Sequence, residues 1–172
     1  FATPRNGNDG NTTTAEFRGF GSTPECYSLF VPPGYSLIAN QLHQGANTLN
    51  EIMPTVPPGS IFYKWDNGRQ RWQVGSYDDA FQAWVPANFT LNPGEGAFFF
   101  NPASDFTLTF CGRRVPPTLP LDLVPGWNLV SRQTPEPGPY ENIVSCAGSG
   151  CPPPQDGTLA ARWTGIGYDL AT

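Results

Sequence analysis

The sequence predicts an all-β protein: two tandem small antiparallel β-sandwich or barrel-like modules, the second incomplete, behind an extended N-terminal arm. Three observations carry this. The 172 residues include 19 Gly and 20 Pro, a density of breakers that interrupts long helices and suits short strands joined by tight turns. The apolar residues fall in short runs of period two. The chain also repeats itself. Val31-Pro-Pro-Gly34-Tyr35-Ser36-Leu37-Ile38-Ala39-Asn40-Gln41 returns as Val124-Pro125-Gly126-Trp127-Asn128-Leu129-Val130-Ser131-Arg132-Gln133, and Gly59 to Trp65 returns as Gly157 to Trp163. Arg71-Trp72-Gln73 then matches Gly167-Tyr168-Asp169 at a similar offset.

Taken in order, residues 1–25 are rich in Asn, Gly and Thr, with apolar anchors at Phe17 and Phe20, and read as an extended arm. The first module, 26–115, has strand candidates at Tyr27–Val31, Ser36–Asn40, Ser60–Trp65, Arg69–Val74 and Phe81–Val85. Ala97–Phe100 reads as a fully buried strand. Phe106–Phe110 alternates, with Phe106, Leu108 and Phe110 on one face. Asp66-Asn67-Gly68 signals a hairpin with a type I′ turn, because Asn-Gly accepts positive φ. The one helix candidate is short, at Thr48–Met53. A Pro-rich linker, 116–123, leads to the second module, 124–172, with strands expected at Trp127–Arg132 and Thr158–Trp163. That copy reaches Thr172 before any counterpart of the first copy's last strands.

These phrases resemble a repeated β-rich module of secreted bacterial proteins. The matching pieces are Pro33 to Asn40, Thr48 to Asn50, Pro58-Gly59, Tyr63 to Trp65, Pro93 to Phe100, Asn101-Pro102 and Phe106 to Phe110. The resemblance covers roughly residues 27–171. It implies export and β structure, and it carries no established chemistry.

The net charge of −5 and the scattered basic residues speak against nucleic acid, whose phosphates call for clustered Lys or Arg. No apolar stretch reaches the ~20 residues of a membrane span. The start at Phe1 is read as a mature chain whose leader has been removed, which places the protein outside the cell or on its surface. Four Cys, at 26, 111, 146 and 151, fit disulfides better than a metal site. Sequence alone does not choose among three pairings. Cys146 and Cys151 enclose a short flexible loop, which leaves Cys26 for Cys111. The low charge, 13% of residues, suggests solubility helped by glycan, with Asn11, Asn88 and the run Thr12, Thr13, Thr14 as attachment candidates.

Nothing in the pattern points to catalysis, to a cofactor or to a metal. His43 is the only histidine and has no neighbouring carboxylate in sequence. Glu95, between two glycines, reads as a turn carboxylate accepting backbone N–H bonds, and Asp78-Asp79 as a solvated loop. The expected function is therefore structural. The short second copy and the spare arm suggest a subunit that polymerises head-to-tail by donating its arm as a strand to the next copy. The alternative is a surface or carbohydrate-binding module that stacks sugars on Tyr63, Trp65, Trp72 and Trp84, residues that would equally fill a core.

Overall fold

The computed structural model describes residues 23–118, 121, 123–135, 157–164 and 166–171. Among the described residues strand accounts for 44% and helix for 3%, so the fold is all-β. Among the described residues the elements run β1 Glu25–Val31, β2 Gly34–Ile38, α1 Leu49–Ile52, β3 Ile61–Asp66, β4 Arg71–Asp78, β5 Ala83–Val85, β6 Ala97–Asn101, β7 Phe106–Gly112, β8 Ala160–Trp163 and β9 Tyr168–Ala171.

β1 and β7 form an antiparallel ribbon in the register Cys26↔Cys111 to Val31↔Phe106. Alternation sorts its faces. Val31, Leu108 and Phe110 are buried, with Tyr27, Leu29 and Phe106 packed against them. Ser28 and Thr109 meet on the solvent side at 2.9 Å, and there the Cys26–Cys111 disulfide links two residues directly opposite each other. The expected pairing of these two cysteines is thus present. Cys146 and Cys151 lie outside the described residues.

The second layer is a five-stranded antiparallel sheet of order β2-β6-β3-β4-β5. Pro32-Pro33 carries the chain from the ribbon into β2, and Gly34 takes φ +90, a conformation open to glycine without steric cost. The inner face presents Ile38, Phe62, Tyr77, Trp84, Ala97 and Phe99. The ribbon covers it from one side. Leu49, Ile52, Met53, Val56, Phe89 and Leu91, from α1 and the flanking loops, fill the remainder. Phe62, Trp84, Phe89 and Phe99 meet edge-on, the arrangement that aromatic quadrupoles favour.

The β3–β4 hairpin departs from its expected turn. Four residues, Asn67 to Gln70, connect the strands, and the positive φ falls on Gln70 (+50) rather than on Asn-Gly. Asp66 decides this: its Oδ1 accepts the Arg69 N–H at 2.9 Å and its Oδ2 accepts from Arg69 Nη1 at 3.0 Å. The acceptor side chain stabilises a right-handed turn, and a left-handed residue then restores the register.

The expected strand at Trp127–Arg132 does not form. The segment runs irregularly along the first module with a single bridge, Glu95↔Val130. Gln70 and Asn67 supply the reason. Gln70 Oε1 accepts the Trp127 N–H (2.8 Å), its Nε2 donates to the Trp127 carbonyl (2.9 Å), and Asn67 Oδ1 accepts the Leu129 N–H (3.1 Å). Side chains thus take backbone groups that a strand would offer to a neighbour. The repeat is nevertheless visible in local geometry. Gly34 and Gly126 share φ of +90 and +99, and Gly59 and Gly157 share +79 and +87. Trp65↔Trp72 on β3–β4 is matched by Trp163↔Tyr168 on β8–β9. Among the described residues every buried apolar residue lies at or before Phe110, so the described part of 124–172 packs on the first module without a core of its own. The 1–25 arm, with Phe17 and Phe20, falls outside the description up to residue 22.

Candidate functional site

The polar residues of the repeated phrases are architectural. Asn40, fully buried at the end of β2, donates from Nδ2 to the Leu91 carbonyl (3.1 Å) and accepts the Leu42 N–H (3.0 Å). Asn50 Oδ1 accepts the Trp84 N–H at 2.7 Å. Asn101 Nδ2 donates to the carbonyls of Pro32 (3.2 Å) and Ser104 (2.8 Å), and its Oδ1 takes the Ala103 N–H, so one side chain closes both corners between the layers. Buried amides of this kind persist because each group is satisfied. Tyr27 acts similarly between β1 and β2. Its hydroxyl donates to Ala39 (2.8 Å) and accepts the Gln41 N–H (3.0 Å), and burial pushes its pKa up to about 12.

The carboxylates weighed for chemistry are bound up in turns. Glu95 Oε2 accepts the Asn92 N–H and the Lys64 ammonium, each at 2.7 Å, and Lys64 also reaches the Thr90 carbonyl. Asp78 Oδ1 accepts the N–H groups of Ala80 and Phe81, and Asp79 is exposed in that loop. Glu51 Oε2 accepts from Thr48 N, Thr48 Oγ1 and Ala46 N at the start of α1; the Thr48 bonds foremost hold its carboxyl below the usual range. His43 is exposed; its Nδ1 lies 3.1 Å from Asn47 Nδ2. Among the described residues no group of three or more His, Cys, Asp or Glu converges as metal ligands would.

The outer face of the five-stranded sheet is different in kind. Strand alternation aligns Tyr35, Phe98, Phe100, Tyr63, Trp65 and Trp72 there, through the pairs Tyr35↔Phe100, Tyr63↔Phe98 and Trp65↔Trp72. The rings form a chain of contacts: Tyr35–Phe100 at 4.9 Å, Tyr35–Tyr63 at 5.9 Å, Trp65–Trp72 at 5.0 Å and Trp72–Phe98 at 5.9 Å between centroids. The β8–β9 hairpin extends it, with Phe98–Trp163 at 5.3 Å and Trp163–Tyr168 at 5.1 Å. Together Tyr35, Tyr63, Trp72, Phe98, Trp163 and Tyr168 line an open cleft of about 360 Å³. Tyr35 is 51% exposed and Trp72 47%. Desolvation, with Tyr35 second, raises the Tyr63 hydroxyl above its ordinary pKa.

Of the aromatic residues singled out from sequence, Tyr63, Trp65 and Trp72 therefore share this face. Trp84 does not. It is 1% exposed on the inner face, and its Nε1 donates to the Met53 carbonyl at 2.9 Å. Its three-residue strand is too short for alternation to distinguish the faces. Tyr35, Phe98, Trp163 and Tyr168 were not singled out. The signal for the last two was the repeat itself, which aligns Trp163-to-Tyr168 with Trp65-to-Trp72. Of the glycosylation candidates, Asn88 is exposed beside buried Phe89, while Asn11, Thr12, Thr13 and Thr14 lie outside the described residues. Comparison with protein-family models, with curated proteins and with solved structures found no match.

Proposed function

We propose that the protein is an extracellular structural subunit that assembles head-to-tail into a filament, each copy accepting a strand from the N-terminal arm of another. The observation that carries the reading is the edge of β8 that pairs with no strand among the described residues. In the first module β3 lies between β4 and β6, so both its edges are paired. Its repeat counterpart β8 pairs with β9 alone among the described residues. A two-stranded ribbon is marginal by itself, and this one carries exposed Leu159, Tyr168 and Leu170. An incoming strand on the β8 edge would take the place that β6 holds beside β3, with main-chain bonds supplying affinity and alternate side chains supplying register. The arm, with Phe17 and Phe20 inside a polar sequence, has the composition of a donor. A heterologous contact of this kind propagates when its rotation does not close.

The disulfide supports an oxidising, extracellular setting. No helix among the described residues is long and apolar enough to cross a membrane. The acidic balance leaves a covalent glycan and further copies of the chain as the partners of this reading, without nucleic acid. Electron microscopy of the full chain, and of a chain lacking residues 1–25, tests it. Fibres that vanish with the arm are the expected result. Discrete monomers in both preparations would overturn it.

A further inference from the structure

The filament reading uses strand edges and leaves the aromatic cleft unexplained. Three properties of the cleft narrow what it can hold. First, its lining is uncharged, and charges beside it on both hairpins are engaged in ion pairs: Arg162 Nη2 with Asp169 at 2.7 Å, and Arg69 with Asp66 at 3.0 Å. A charged ligand would be desolvated there without a counter-charge, so the complementary ligand is neutral. Second, the platform is rigid. Trp72 stays half exposed while Trp65 and Phe98 both contact it edge-on, which fixes the ring before anything binds. A preset ring loses little entropy on binding. Third, Trp163 Nε1 is buried with no hydrogen-bond partner among the described residues. A buried indole N–H without an acceptor is costly and rare; it is closed to solvent as the cleft stands, so a small turn of the Trp163 ring is needed to bring it to a ligand oxygen, and the bond so formed favours that turn. Flat apolar faces, no charge and one N–H seeking an oxygen describe the complement of a pyranose ring, which has an apolar C–H face and a rim of hydroxyls.

We propose that this cleft is a binding site for a neutral glycan chain, with sugar rings stacked on Trp72 and Tyr35 and a hydroxyl or ring oxygen accepting from Trp163 Nε1. The site is assembled from both copies of the repeat: Tyr35, Tyr63, Trp72 and Phe98 from the sheet, Trp163 and Tyr168 from the hairpin. Ring faces make the contact, so the site is independent of arm donation.

The experiment titrates the full chain with four neutral hexasaccharides, cellohexaose, chitohexaose, mannohexaose and xylohexaose, following tryptophan fluorescence and calorimetry. At least one is expected to bind, and Trp72→Ala to weaken it tenfold or more. Trp72 lies on the surface, so the variant should fold; unchanged far-UV circular dichroism checks this. Trp163→Phe keeps the ring and removes the N–H, and is expected to weaken binding severalfold. Phe81→Ala, at an exposed hairpin tip away from the cleft, is expected to leave binding unchanged. The chain lacking residues 1–25 is expected to bind as the full chain does, which separates this outcome from that of the filament test. Absence of binding to all four sugars at about 5 mM overturns the proposal. Binding indifferent to Trp72→Ala also overturns it. So does dissociation of an assembled form by Trp72→Ala without any sugar effect, which would make the face an interface between copies.

Discussion

Replacing Trp84 separates a core role from a surface one more sharply than any other single change. Its ring is 1% exposed, meets Phe62, Tyr77 and Phe99 edge-on, and donates from Nε1 to the Met53 carbonyl, while the Asn50 side chain holds the Trp84 backbone N–H. Truncating a buried aromatic to Ala costs about 3–5 kcal/mol, and this site belongs at the upper end because the Met53 carbonyl also loses its donor. Trp84→Phe preserves most of the apolar area and loses chiefly that hydrogen bond, for about 1–3 kcal/mol. Urea unfolding followed by circular dichroism reads both. With a slope of about 1–3 kcal/mol per molar, Trp84→Ala should move the midpoint down by roughly 2 M and Trp84→Phe by about half as much. Sugar binding by the Phe variant should be unchanged. A shift below about 0.5 M for Trp84→Ala would refute the packing argument, since a slope in this range then leaves too little free energy for a buried ring.

Two further outcomes follow from the ribbon. The double variant Cys26→Ala/Cys111→Ala releases a loop spanning a sequence separation of 85; loop-closure entropy sets the loss at about 4–5 kcal/mol, measured as a fall in the urea midpoint with the far-UV spectrum of the native state retained. Alkaline titration at 295 nm should show Tyr27 ionising near 12, a late phase that Tyr27→Phe removes. An unfolded tyrosine ionises near 10, so between about 10 and 12 the unfolded chain sheds a proton that the folded chain keeps. Tyr27's contribution is complete below pH 10 and is lost as pH rises through that window.

Much of the first module was legible because its strands obey simple alternation. β7 follows the Phe106, Leu108, Phe110 pattern, and β6 begins at the expected Ala97. Boundaries slipped where pairing overrode local pattern: β2 starts at Gly34 because Tyr35 finds Phe100 opposite, and β4 runs on to Asp78 because β5 pairs with its far end. The turn at Asn67-Gly68 was misread because the Asp66 carboxylate decides the geometry, and the strand at Trp127–Arg132 because Gln70 and Asn67 compete for its backbone. The candidate site was half visible. Repetition placed an aromatic pair on each hairpin, but nothing in one dimension says that the second hairpin lies over the first sheet.

The covalent link at the root of the arm also decides where tension travels. A pull applied ahead of Cys26 passes through sulfur to Cys111 and leaves by the Pro-rich segment beyond, so the chain between the two cysteines, a sequence separation of 85, bears no load. At roughly 3.4 Å per extended residue, about 290 Å of slack stays locked inside each subunit. In a fibre assembled as proposed, load would pass through the joints and the β8–β9 hairpin while the five-stranded sheet, enclosed by the disulfide, remained at rest, and a reducing environment would turn the same stiff bead into a yielding one.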